Sequence, residues 1–190
     1  MKKVILLIAI IMLAAPRADA CVGKLLSIGV LNTSEGKVLS EILGVLITER
    51  TGTAVTVKFY RSAQELYDAV KSKQVDISVE NTGRAMKLLN RPAEADAKKA
   101  YEQAKAAYEK DMGLIWLKPF GFQNGAGGPS HTAAILRAEI LNNFPVLPRV
   151  LGKLGHAITD EAYARLIASV DAGETAKKVA RDFLKSKKLI

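Results

Sequence analysis

The sequence predicts an α/β fold, a largely parallel sheet with helices on both faces. Three observations predict it. Short apolar or alternating runs at residues 25–32 (LLSIGVLN), 53–60 (TAVTVKFY) and 75–80 (VDISVE) have the length and composition of strands. Stretches with helical periodicity separate these runs. The order β-α-β-α-β-α fits within about 65 residues, the pattern of a parallel sheet.

The elements follow in chain order. Residues 25–32 are an apolar run bounded by polar residues, hence a buried strand. In SEGKVLSEILGVLITERTG, Val38, Leu39, Ile42, Leu43, Leu46 and Ile47 recur at helical spacing. Ser34 is its expected N-cap and Gly52 the residue past its end. Residues 53–60 alternate and are β-branched, a second strand. SAQELYDAVKSKQ reads as a helix capped by Ser62, with Leu66, Val70 and Tyr67 inward. Residues 75–80 form a third strand, and NTGRAMKLLN starts a short helix at once. Residues 93–113, rich in Ala, Glu and Lys, form a strong helix, and LIWLKP (114–119) a fourth strand. After a glycine-rich segment, GFQNGAGGPSH (121–131), helices are expected over 132–142, 145–154, 159–169 and 173–185.

The first 20 of the 190 residues read as a secretory signal peptide. Lys2 and Lys3 form a basic start, an apolar run of about 12 residues follows, too short to span a bilayer, and Ala18-Asp19-Ala20 is a cleavage site. Residues 21–190 are then one exported domain, periplasmic or secreted. Cys21 is the only cysteine, so no internal disulfide forms, and "ADA" before it suits ordinary signal peptidase better than a lipoprotein site. The formal charge is +9; removing Lys2, Lys3, Arg17 and Asp19 takes away +2 and leaves +7. Acidic residues interleave with the basic ones and no Arg/aromatic stripe exists, so nucleic acid is a poor partner.

In open parallel sheets, ligands sit beyond the carboxyl ends of the strands. Three segments qualify: NTSEG (32–36), VENTGR (79–84) and FQNGAGG (122–128). No Cys/His cluster suggests a metal, and neither nucleotide-binding glycine pattern is present. No cofactor is expected. Ser130 beside His131 is a cap rather than a catalytic pair. Glu35 and Glu80, both at strand ends, either form a carboxylate pair or serve structure, Glu35 as partner of a helix dipole. Nothing here compels an enzyme.

These motifs resemble a known family, the substrate-binding proteins of glycine betaine/choline/carnitine (osmoprotectant) ABC importers. IGVLNTSEG (28–36) is similar to the family's IGSKNFTEQ. KQVDISVENTGRA (73–85) is similar to GEIDIYPEYTGTA, and MGLIWLKPFGFQNGAGG (112–128) to YGLVWLEPLGFNNTYAL. The end, HAITDEAYARLIASVDAGETAKKVARDFLKSKKLI (156–190), is similar to KITDEEMAALNAQVD…PAEVAREFLKSKGLI. The resemblance covers essentially all of residues 21–190.

The resemblance implies one lobe of a type II periplasmic-binding-protein fold, a three-layer α/β/α sandwich with a mostly parallel sheet of about four or five strands. It implies that residues 124–131 replace the family's second lobe. It also implies a non-enzymatic receptor for a quaternary-amine or zwitterionic solute, delivering to an ABC permease. The family's cage tyrosines align with Ser78, Asn81 and Ala126, so the aromatic cage is gone. The candidate ligand residues are Asn32, Ser34, Glu35, Ser78, Glu80, Asn81, Thr82 and Asn124. Ser34 and Thr82 are equally readable as caps, and Glu80 as part of an internal network. Altered or weakened binding is expected. The alternative is an interaction or dimerisation module, a homodimer or a second-lobe-like partner covering an apolar face near Phe120 and Phe122.

Overall fold

Strand β1 (Leu26–Leu31) buries Leu26, Ile28 and Val30 on one side and Gly29 on the other. In this computed structural model, residues 25–123 and 130–190 are described. The expected leader, Cys21, Asn124 and most of the expected splice fall outside them. Helix α1 (Ser34–Thr51) packs on the first side of β1 through Val38, Leu39, Ile42, Leu43, Leu46 and Ile47. It stops at Gly52, whose φ of 70° is the left-handed conformation expected there. Strand β2 (Val55–Tyr60) then pairs with β1 in parallel, Leu26 opposite Val55 and Leu31 opposite Tyr60. Helix α2 (Ala63–Lys71), capped by Ser62, returns over the other face. A β-carbon on Gly29 would lie 2.6 Å from Val75 and 2.9 Å from Leu66, so the bare glycine lets this layer sit close.

Strand β3 (Ile77–Asn81) pairs in parallel with β1 and runs directly into α3 (Thr82–Leu88). Helix α4 (Ala97–Met112) and strand β4 (Leu114–Trp116) follow. The next element departs from expectation. Residues 132–142 are not a helix: Thr132–Arg137 form strand β5, and only Ala138–Asn142 turn helically, as a 3-10 helix. β5 inserts between β3 and β4, antiparallel to both, giving the order β2-β1-β3-β5-β4. The other four strands share one direction, so the sheet is mostly parallel.

The physical reason lies in burial. Ala133 and Ile135 enter the core on the α2 to α4 side, while Ala134 and Leu136 enter the core against α1. A strand buried on both faces shows no polar alternation, and two alanines make it look helical. Two strand neighbours use the backbone N–H and C=O groups of β5, and this outweighs alanine's helix preference.

The chain closes with α5 (Leu147–Leu151), α6 (Asp160–Asp171) and α7 (Ala176–Ser186), which cover the α1 face. The result is three layers, α/β/α. Phe120 and Phe122 are 2% and 0% exposed. Neither ring is exposed among the described residues, and Phe122 stacks on Tyr163 of α6 at 4.1 Å. No helix among the described residues is long and apolar enough to cross a membrane.

Candidate functional site

β1 and β3 end side by side; β3 runs directly into its helix, and β1 reaches its helix after two residues, Asn32 and Thr33. That brings NTSEG and VENTGR to one rim, as the sequence implied. At the first turn, Thr33 rather than Ser34 is the N-cap; Gly36 N–H donates to its Oγ1 at 3.0 Å. Ser34, now the first helical residue, donates instead to Asp171 Oδ1 at 2.5 Å. Glu35 sits in the first turn, where the helix dipole favours an acid, and accepts the Tyr163 hydroxyl at 2.7 Å. Asn32 is exposed, and its side chain has no hydrogen-bond partner among the described residues.

At the second turn, Asn81 is the cap. Its Oδ1 accepts from Gly83 N–H at 2.9 Å and Arg84 N–H at 3.3 Å, and its Nδ2 donates to Thr132 Oγ1 at 3.3 Å. Thr82 is not the cap. It is buried, and its Oγ1 accepts from His131 N–H at 3.1 Å. Ser130 does act as a cap, but for α3 rather than for a helix of its own: its Oγ accepts from Gly83 N–H at 3.4 Å.

Glu80 lies beneath this rim, 8% exposed, with both carboxylate oxygens hydrogen-bonded. Its Oε1 takes bonds from Arg84 Nε at 2.5 Å and Asn81 N–H at 2.9 Å, and its Oε2 takes the Tyr108 hydroxyl at 3.2 Å. Arg84 Nη2 also donates to the Val79 carbonyl at 2.8 Å. Burial, then the negative charge of Glu80, push the Tyr108 hydroxyl far above its ordinary pKa, so it stays a donor. Ser78, 3% exposed, lines a cavity of about 10 Å³ with Glu80, Arg84 and Tyr108, at the threshold for one water. Glu35 and Glu80 do not pair with each other; each has its own partner.

His131 and Trp116 flank the Tyr101 ring edge-on, at 6.1 and 5.8 Å. His131 Nδ1 and Trp116 Nε1 are buried with no hydrogen-bond partner among the described residues. Burial, then the charge of His156, lower the His131 pKa. Of the predicted residues, the rim therefore unites Asn32, Ser34, Glu35, Ser78, Glu80, Asn81 and Thr82. Arg84, Tyr108, Tyr163 and Asp171 were missed. Arg84 was findable, four residues after Glu80 at helical spacing; the others are distant in sequence. Larger concavities lie away from the rim, among them about 490 Å³ between the ends of α2 and α4, about 480 Å³ beside α2 at Tyr60, Glu65 and Asp68, and about 440 Å³ between α6 and α7.

Comparisons with known proteins agree with this architecture. A family model described as the substrate binding domain of the ABC-type glycine betaine transport system matches residues 24–127. Among solved structures, a glycine betaine/carnitine/choline ABC transporter protein superposes with a TM-score of 0.80 at 17% identity, covering 87% of this chain and 98% of that one. Apo YehZ from Escherichia coli gives 0.74 at 15%, covering 88% and 100%. Lactococcal OpuAC, closed and complexed with glycine betaine, gives 0.52 at 10%, covering 87% and 96%. At these identities the structures establish the fold alone. No curated protein sequence matches the chain.

Proposed function

Since the chain belongs to the family of substrate-binding domains of ABC-type glycine betaine transport systems, we propose that it is an exported, non-enzymatic solute-binding lobe with weakened affinity for quaternary amines. Family members are extracytoplasmic, take quaternary-amine solutes and work with an ABC permease. The rim at the ends of β1 and β3 is the site in this reading, with residues 124–131 standing where a second lobe would otherwise be inserted.

The observation that carries the weakened affinity is the Glu80–Arg84 pair at 2.5 Å. A buried carboxylate beneath the rim would be the natural counter-charge for a quaternary ammonium. Arg84 already neutralises it, and Ser34, Glu35, Asn81 and Thr82 are likewise bonded within the chain. With Ser78 and Asn81 at cage positions, no aromatic face supplies the missing attraction there. The alternative, a protein-interaction or dimerisation module without a small ligand, is consistent with a rim whose polar groups are bonded within the chain.

Calorimetric titration of residues 22–190 against glycine betaine, choline, carnitine, proline betaine and proline tests the proposal. Saturable binding of one of them, weaker than a dissociation constant of about 100 μM, a free energy near −5.5 kcal/mol, is the expected result. Tighter binding overturns the weakened-affinity reading. No binding at all, with a concentration-dependent dimer in sedimentation, replaces the receptor reading with the interaction module.

A further inference from the structure

We propose a second ligand site at the other end of the sheet, a groove between the carboxyl ends of α2 and α4 that takes a small zwitterion, an apolar α-amino acid. The groove is open on one side and has a volume of about 490 Å³, within the range of small-molecule sites. It opens where β4 begins and β5 ends, the edge of the sheet opposite the rim. It is therefore independent of the rim proposed above.

Its floor is apolar: Val70 and Leu114 are buried and Met112 half-buried. Tyr67 forms a fixed wall, because its hydroxyl donates to Met112 Sδ at 3.0 Å. The face of that ring accepts a cation, since Lys71 Nζ lies 5.2 Å from its centroid. An apolar side chain on the floor beside an aromatic wall gains from leaving water.

The charges around this floor decide the ligand class. Arg137 is held by Asp76 at 2.6 Å and by Glu139, and Lys73 is held by Glu139 at 2.8 Å. Lys71 and Asp111 are left, both exposed and both without a charged partner among the described residues. They stand at the ends of two different helices that border one groove. The Lys71 ammonium, held only against the face of the Tyr67 ring, and the exposed Asp111 carboxylate border an apolar floor, and these three features correspond to the carboxylate, ammonium and side chain of an amino acid. The helices also present their negative dipole ends here, which favours the ligand's ammonium. A monovalent ligand would satisfy one of the two charges and leave the other unpaired.

Titration of residues 21–190 with L-leucine, followed by ¹H–¹⁵N NMR, tests the site. The comparators are N-acetyl-L-leucine, which lacks the ammonium, and isoamylamine, which lacks the carboxylate. Saturable shifts are expected at Tyr67, Lys71 and Gly113, with both comparators weaker by about tenfold or more. K71M and D111N, both at exposed positions, should each weaken L-leucine by a similar factor, while Asn32→Ala at the rim leaves it unchanged. The proposal is overturned by no saturable shift at these amides up to about 10 mM ligand, by shifts centred on Asn32 and Asn81, or by K71M and D111N binding like the unaltered chain.

Discussion

Arg84 Nε donates to Glu80 Oε1 at 2.5 Å, while its Nη2 donates to the Val79 carbonyl at 2.8 Å. The pair joins the end of β3 to the start of α3, with side chains 26% and 11% exposed. The charge of Glu80 is balanced inside the fold.

Removing the cation alone strands a mostly buried carboxylate. Arg84→Met should cost about 2–3 kcal/mol in urea unfolding, below the full cost of breaking a buried pair because Arg84 is partly exposed. The double change R84M with E80Q should recover most of that loss, since a neutral amide keeps the shape without the charge. A single variant within about 0.5 kcal/mol of the unaltered chain would mean the pair is effectively solvated.

Tyr163 ties the return helices to the rim by stacking on Phe122 at 4.1 Å and donating to Glu35 at 2.7 Å. Phe122→Ala empties a fully buried ring and should cost about 3–5 kcal/mol. Tyr163→Phe keeps the stack, removes the bond to a carboxylate, and should cost about 1–2 kcal/mol. Denaturant midpoints of the two variants separate packing from hydrogen bonding at this contact.

Gly36 is required by close approach. A β-carbon there would overlap the Leu31 carbonyl oxygen, because α1 starts directly over the end of β1. Backbone cannot yield as a side chain does, so Gly36→Ala should cost about 3 kcal/mol. Gly44→Ala is the control: its added carbon would meet Val55 at an ordinary 3.6 Å. That change should be neutral or stabilising by thermal melting, since it sits within a helix.

Burial, then His156, hold the His131 pKa below its ordinary value, so the folded chain takes up that proton later than the unfolded chain. The contribution is complete above the unfolded value of about 6.5 and declines as pH falls through it. For Asp76, burial pushes the carboxyl up, but the bonds from Arg137 and Ser27 outweigh it and leave the pKa lowered. Its contribution is lost only below about 3.9. Melting temperatures should therefore fall between about pH 7 and 5, and His131→Phe should flatten that fall while leaving the lower-pH loss in place. An unchanged slope in the His131 variant would assign the upper window to another group.

Much of this molecule can be read along the chain. The strands at the start, the helices between them, Gly52 at its helix end and the two turns that make the rim follow from short-range patterns, because each element has a face or an end that water defines. The Glu80–Arg84 pair is also local, one helical turn long. The identity of β5 is not local. Ala133, Ala134, Ile135 and Leu136 are buried on both faces, so no period marks them, and only β3 and β4 on either side make them a strand. The state of the rim is not local either. Ser34 meets Asp171 across 137 residues and Glu35 meets Tyr163 across 128, so packing of α6 against the start of α1 decides which polar groups of the rim are already bonded. Sequence determined which groups reach the rim; tertiary contacts decided which were already bonded, because a hydrogen bond depends on what folding brings within 3 Å.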